Sequence, residues 1–160
     1  MNISVVVPLY NEEESIPELY AWIDRVMKEN EFTYEVIFVN DGSTDQTQRI
    51  AEQAGAKVIS HPYSKGNGAA IKTGARHAQG EIIIFMDADG QHDPADIPRF
   101  IEQLEQGYDL VVGARQKGSQ ASLGRGFANA FYNKLATYMT EHQVEDLTSG
   151  FRAVRAEKFR

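Results

Sequence analysis

Apolar positions along the chain alternate between short continuous runs and stretches with helical spacing. Residues 3–9, 34–39, 57–60, 82–86 and 109–112 are runs rich in β-branched and aromatic side chains, too short for buried helices, and are read as strands. Between them lie helical patterns with recognisable ends. Ser15, with Pro17 and Glu18 in the first turn, opens a helix to about residue 28. Ser43 and Gln46 form a capping-box pattern for a helix to residue 54, with Gly55 at the C′ position. Residues 68–78 form a helix of small side chains stopped by Gly80, and residues 94–106 and 127–139 complete the set. Repeated strand–helix–strand units predict an α/β fold: a mostly parallel, Rossmann-like sheet with helices on both faces, in three α/β/α layers. There is no internal repeat and no low-complexity segment.

In such sheets, ligands bind beyond the carboxyl ends of the strands, and here those ends are the polar places. The run Ile82-Ile83-Ile84-Phe85-Met86 stops in Asp87-Ala88-Asp89-Gly90-Gln91, two carboxylates one residue apart with no Lys or Arg within five positions on either side. Like charges so placed repel unless a cation lies between them. A hard divalent ion, Mg²⁺ or Mn²⁺, suits them: it takes oxygen ligands from one or two carboxylates, with Gln91 supplying another, and keeps places for substrate phosphates. The competing reading is turn chemistry, with Asp93-Pro94 capping the next helix and no metal involved. The other strand ends are Pro8-Leu9-Tyr10-Asn11-Glu12, Asn40-Asp41-Gly42-Ser43 and Gly113-Ala114-Arg115. Each alone has an ordinary turn or cap reading; together they can surround one ligand.

Composition narrows the ligand. A length of 160 residues with 42% hydrophobic content suits one globular domain. The net charge of −7 argues against nucleic acid as a partner. The absence of cysteine excludes disulfides and thiolate catalysis, and fits a reducing compartment. The apolar run 3–7 is short and lacks a basic leader, so it is read as a strand and not a targeting segment. No stretch approaches the roughly 18 apolar residues that cross a bilayer.

The five segments Val5-Val6-Val7-Pro8-Leu9-Tyr10-Asn11-Glu12, Val39-Asn40-Asp41-Gly42-Ser43-Thr44-Asp45, Lys65-Gly66-Asn67-Gly68, Asp87-Ala88-Asp89 and Gly113-Ala114-Arg115, in that order, resemble the family 2 glycosyltransferases of GT-A fold. Within them the chain is most similar to the dolichol-phosphate mannosyltransferase-like branch, which moves a sugar from a nucleotide diphosphate to a polyprenyl phosphate. The match extends to Asp146-Leu147-Thr148-Ser149-Gly150-Phe151-Arg152. The resemblance implies that Pro8, Tyr10, Asn11 and Glu12 contact the nucleotide and that Asp41 reads the base or ribose, beside Asn40, where many relatives carry a second Asp. It implies that Asp87, Asp89 and Gln91 hold the metal and diphosphate, that Arg115 and Arg125 lie around phosphates, and that Asp146 belongs to the acceptor side. It further implies metal-dependent, inverting transfer of a hexose from a UDP- or GDP-sugar to a polyprenyl phosphate at the cytoplasmic face of a membrane. Relatives continue with more sheet and often membrane helices, so residues 1–160 are read as a single catalytic domain cut short at its C-terminal end.

Other residues carry weaker signals. Lys65-Gly66-Asn67-Gly68 lacks the end of a P-loop pattern, and its glycines either let backbone approach the sugar donor or turn into the next helix. Residues 116–124 are read as a loop closing over the donor or as plain surface. The helix 127–139 presents Phe127, Phe131, Leu135 and Tyr138 at core spacing rather than as a lipid-facing stripe. His92 is read as a loop residue before a metal or substrate contact, and His61, His77 and His142 as surface. Arg152 joins Arg115 and Arg125 as a candidate phosphate contact. Two alternatives stay open: a family 2 enzyme with a hydroxyl acceptor such as a polysaccharide, and a nucleotide-sugar-binding module without catalysis.

Overall fold

The computed structural model describes residues 2–90, 92–113 and 150–159. Strand β1 (Asn2–Leu9) is followed by α1 (Ile16–Glu29), β2 (Thr33–Asp41), α2 (Thr47–Ala54), β3 (Lys57–His61) and α3 (Asn67–His77). Then come β4 (Ile82–Phe85), a 3₁₀ turn (Pro94–Asp96), α4 (Ile97–Glu105), β5 (Leu110–Val112), β6 (Arg152–Arg155) and a helical turn (Ala156–Phe159). The six strands form one sheet in the order β3-β2-β1-β4-β6-β5. β3, β2, β1 and β4 are mutually parallel, while β6 runs antiparallel to both β4 and β5.

Strand parity builds the three layers. Ile3, Val5, Val7 and Leu9 of β1 and Ile82 and Ile84 of β4 face α1, α2 and α4 through Ile23, Met27, Ala51, Phe100 and Leu104. Val6, Ile83 and Phe85 face the opposite way, onto Ala70, Ile71 and Ala75 of α3. β4 is therefore apolar at every position because both its faces are covered. The small residues of α3 bring it close to the sheet: a methyl group on Gly74 would lie 2.2 Å from Val6 Cγ1. Replacing Gly74 with Ala therefore overpacks this contact, at about 1–3 kcal/mol.

The sequence expectation of a mostly parallel α/β sheet holds, with three differences. α2 begins at Thr47, not near Ser43. Ser43 Oγ instead accepts the Asn11 N–H at 3.0 Å, and Asp45 receives the Thr47 N–H at 2.9 Å, so a bond to the loop after β1 and a local carboxylate bond displace the capping box. The helix expected from Pro94 opens with a 3₁₀ turn, capped by Asp93 accepting the Ala95 N–H at 2.8 Å. Finally, β6 inserts between β4 and β5. The expected helix 127–139 and loop 116–124 lie outside the described residues.

The register decides where chemistry gathers. Leu9 lies opposite Asn40 and Val6 opposite Phe85, so the chain leaves β1, β2 and β4 at one edge. β6 runs the other way and starts opposite Phe85, which puts Gly150 and Phe151 at that same edge. Gly113, beyond β5, donates its N–H to Phe151 O at 2.8 Å there.

Candidate functional site

Beyond β1 the chain is stitched to the loop that follows β2. Asn11 adopts φ +52°, a conformation Asn tolerates better than most side chains. Its Oδ1 accepts from Thr44 N–H at 2.8 Å and from the Thr44 hydroxyl at 3.3 Å. The Glu12 N–H donates to Thr47 Oγ1 at 2.9 Å, and Thr47 Oγ1 in turn donates to Asp45. Asn40 is buried and also works within the protein: its Nδ2 donates to Ser60 Oγ at 3.3 Å and its Oδ1 accepts the Ser43 N–H at 3.1 Å. These bonds fix the backbone so that Pro8, Leu9, Tyr10 and Glu12 line a cavity, with the Tyr10 ring 51% exposed.

Asp41 lies at the floor of that cavity, only 5% exposed. Its Oδ1 accepts from His61 Nδ1 and from the Lys65 N–H, both at 2.8 Å. Its Oδ2 accepts from the Ser64 hydroxyl and the Gly66 N–H, both at 3.0 Å. Burial pushes the carboxyl group upward, but the bonds from His61, Lys65, Ser64 and Gly66 outweigh it and hold the group below the ordinary carboxylate range. His61 thus corrects the sequence expectation of a surface histidine: its side chain is 8% exposed, and its Nε2 meets Thr73 Oγ1 at 2.8 Å.

At the end of β4, Ala88 is buried and Asp87 and Asp89 lie on either side of it, both on the cavity wall. The Asp87 N–H donates to His92 Nδ1 at 2.9 Å, and His92 Nε2 lies 3.9 Å from Asp87 Oδ2. His92 is itself buried and stacks on Phe151, with centroids 5.0 Å apart. It is therefore a loop histidine, as expected, but one packed into the protein.

The cavity has a volume of about 420 Å³, and its wall combines four carboxylates, from Glu12, Asp41, Asp87 and Asp89, with the Tyr10 ring. Of the residues expected to bind the donor, Pro8, Tyr10, Glu12, Asp41, Gly66, Asp87 and Asp89 line it. Asn11, Asn40 and Lys65 do not: the first two hold the loops, and Lys65 Nζ lies over the Tyr63 ring, 5.4 Å from its centroid. Asn67, from the Lys65–Gly68 segment, also lines the cavity, as do Ser64 and Ala70, which were not singled out in sequence; Ser64 is held there by its bond to Asp41, which carries no local pattern. Gln91, Arg115, Arg125 and Asp146 lie outside the described residues. Arg152, a sequence candidate for phosphate binding, is buried, with its guanidinium 5.3 Å from the Phe85 ring centroid, and is not among the described residues that line the cavity.

Among the described residues the cavity wall is acidic, which suits an anionic ligand accompanied by a cation. Asp87 and Asp89 supply hard oxygen donors, and among the described residues no group of three His, Cys, Asp or Glu converges on one point. That donor set fits an ion of the Mg²⁺ type, which completes its shell with water and substrate phosphates instead of a protein cage.

The model of glycosyl transferase family 2 matches residues 4–160. The chain is 37% identical over 96% of its length to an undecaprenyl-phosphate 4-deoxy-4-formamido-L-arabinose transferase of Proteus mirabilis, covering 48% of that protein. It is 33% identical over 98% of its length to a dolichol-phosphate mannosyltransferase of Pyrococcus furiosus, covering 47% of it. The chain thus spans about half the length of these curated relatives. Among solved structures, it is similar to glucosyl-3-phosphoglycerate synthase from Mycobacterium tuberculosis in complex with Mn²⁺, UDP-glucose and phosphoglyceric acid. There the TM-score is 0.69 and the identity 27%, over 98% of this chain and 57% of that one.

Proposed function

The chain belongs to glycosyl transferase family 2, with the GT-A fold, and on that premise we propose that its cavity binds a nucleoside-diphosphate sugar with Mg²⁺ or Mn²⁺ for transfer to a polyprenyl phosphate. The observation that carries the donor half is the meeting of Asp87, Asp89, Glu12, Asp41 and the Tyr10 ring around one cavity at the strand ends. The solved relative named with Mn²⁺ and UDP-glucose supports UDP over GDP. The acceptor half rests on the undecaprenyl- and dolichol-phosphate relatives. The reaction takes place at the cytoplasmic face of a membrane, although no described helix is itself long and apolar enough to cross one.

In this reading Tyr10 stacks on the base and the polar floor around Asp41 orients the nucleoside. Asp87 and Asp89, with Gln91, hold the cation, which when bound supplies Lewis-acid stabilisation of the departing diphosphate. Transfer is inverting. A phosphate acceptor is already anionic near neutral pH, whereas a sugar hydroxyl must lose a proton during attack. The acceptor side therefore calls for cations that hold two phosphate groups together, Arg115 and Arg125, rather than for a base. Asp146 orients the acceptor or an arginine.

Calorimetry with UDP and GDP, each with and without MnCl₂, tests the donor half: a Mn²⁺-dependent gain for UDP is expected, and affinity indifferent to a chelator would remove the metal from the reading. In the full-length protein Arg125→Ala should severely lower transfer to polyprenyl phosphate, while Asp146→Asn keeps appreciable activity. Transfer to a hydroxyl acceptor, abolished by Asp146→Asn and indifferent to Arg125→Ala, would instead make Asp146 a general base.

A further inference from the structure

We infer that His92 and Gly150 are positioning residues that hold Asp87 in one orientation for a divalent cation, an inference that rests on Asp87 belonging to the metal side of the donor site. His92 is not among the described residues that line the cavity, and its contacts with Asp87 lie behind the cavity wall that Asp87 forms. Its ring meets Asp87 at two points. Because the Asp87 N–H donates to His92 Nδ1 at 2.9 Å, that nitrogen carries the lone pair, and in the neutral ring the proton sits on Nε2. Nε2 then lies 3.9 Å from Asp87 Oδ2, so the ring flanks both the backbone and the carboxylate of one residue.

The ring is itself held. It stacks on Phe151 at 5.0 Å with planes 19° apart, Phe151 packs against Phe100 at 4.6 Å, and the Phe151 carbonyl accepts the Gly113 N–H at 2.8 Å. The residue before Phe151 completes the grip. A methyl group added to Gly150 would lie 2.6 Å from Asp87 Oδ2 and 2.8 Å from Oδ1, so the glycine backbone forms a wall directly against the carboxylate. Asp87 is thus fixed through its N–H on one side and its oxygens on another, by elements that meet only because β6 runs antiparallel beside β4. A ligand held this way loses little side-chain freedom when the ion arrives, which is how outer residues raise metal affinity.

Three variants separate this from simple packing. His92→Phe keeps a ring on Phe151 but removes the acceptor for the Asp87 N–H; His92→Asn returns an acceptor near the Nδ1 position; Gly150→Ala places a methyl group whose nearest atoms are those of the Asp87 carboxylate. UDP binding is measured by calorimetry with and without MnCl₂. The Mn²⁺-dependent gain in UDP affinity should fall about tenfold or more in His92→Phe and in Gly150→Ala. His92→Asn should recover most of it, while metal-free UDP affinity stays the same in all three. A full gain in both His92→Phe and Gly150→Ala overturns the inference. So does a His92→Asn variant as impaired as His92→Phe, or a loss that appears equally without metal. A wild-type chain that binds UDP with no gain from Mn²⁺ overturns the donor-site reading and this inference together, whereas a wild-type gain that the variants leave intact removes only the roles of His92 and Gly150.

Discussion

Two carboxylates at strand ends on either side of β1, Asp41 closing β2 and Asp87 following β4, line the same cavity and are treated in opposite ways. Each oxygen of Asp41 accepts two bonds from the protein, which fills the roughly four acceptor positions a carboxylate offers. Among the described residues the Asp87 carboxylate accepts no hydrogen bond; its neighbours are His92 Nε2 at 3.9 Å and the backbone of Gly150. A carboxylate saturated by protein donors organises a loop, while one that is walled in but unsaturated is prepared for a charge from outside. On the proposed reading the same residue type at the same edge does two jobs, and the difference lies in where donors are placed.

The largest effect should come from cancelling the unsaturated side. Asp87→Asn or Asp89→Asn should lower Mn²⁺-dependent UDP affinity by about a hundredfold, or about 2.7 kcal/mol. Folding stability without metal should hold or rise slightly in Asp87→Asn, because two like charges one residue apart are relieved. Calorimetry and denaturant unfolding on the same samples check both halves. Asn40→Ala should weaken metal-dependent binding less than Asp89→Asn does; the reverse order would relocate the metal.

Cancelling the saturated side should act on folding instead. Asp41→Asn turns one acceptor into a donor facing the donors already present, and should cost about 2–3 kcal/mol of stability in urea unfolding. The pH dependence has a definite sign. The folded Asp41 carboxyl group is held below its ordinary range, so its contribution is present above the unfolded value and is lost as pH falls through the folded one. The stability gap between wild type and Asp41→Asn should therefore be full near neutral pH and narrow in acid. A gap that widened in acid would mean that burial, and not the four donors, governs this group.

The contrast also marks how far the chain could be understood from sequence. The β4 side was legible because an apolar run ending in Asp87-Ala88-Asp89 announces itself locally, as did the strand ends that carry Tyr10 and Glu12. The Asp41 side was only half legible. Asp41 itself stood out, but its partners His61, Ser64, Lys65 and Gly66 lie 20 to 25 residues away, and a lone histidine on a short third strand carries no spacing signal. β6 was missed for a related reason: Arg152-Ala153-Val154-Arg155 is four residues long and mixes charge with apolar positions, so no period of two could establish itself. Its buried face becomes visible only once β4 is beside it. Ser43 shows the converse error, in which a correct local cap pattern loses to a longer-range bond with Asn11.

The smallest expected effect tests how the saturated side is kept in one state. An ionised Asp41 can only accept, so His61 Nδ1 must donate to it, and in a neutral ring Nε2 must then accept. Thr73 Oγ1, 2.8 Å from Nε2, is the donor that fixes this tautomer, giving a chain of bonds that runs from Thr73 through His61 to Asp41 in a single direction. Thr73→Val keeps the shape of the side chain and removes only the donor, leaving Nε2 without its partner in a nearly buried position; the expected cost is about 1 kcal/mol of stability. Thr73→Ser restores the hydroxyl and should recover most of that loss. In ¹⁵N NMR of the histidine ring, wild type and Thr73→Ser should show the Nδ1–H form, and Thr73→Val a mixture. If Thr73→Val retains both full stability and a pure Nδ1–H ring, then Asp41 alone selects the tautomer and the chain of bonds ends at His61.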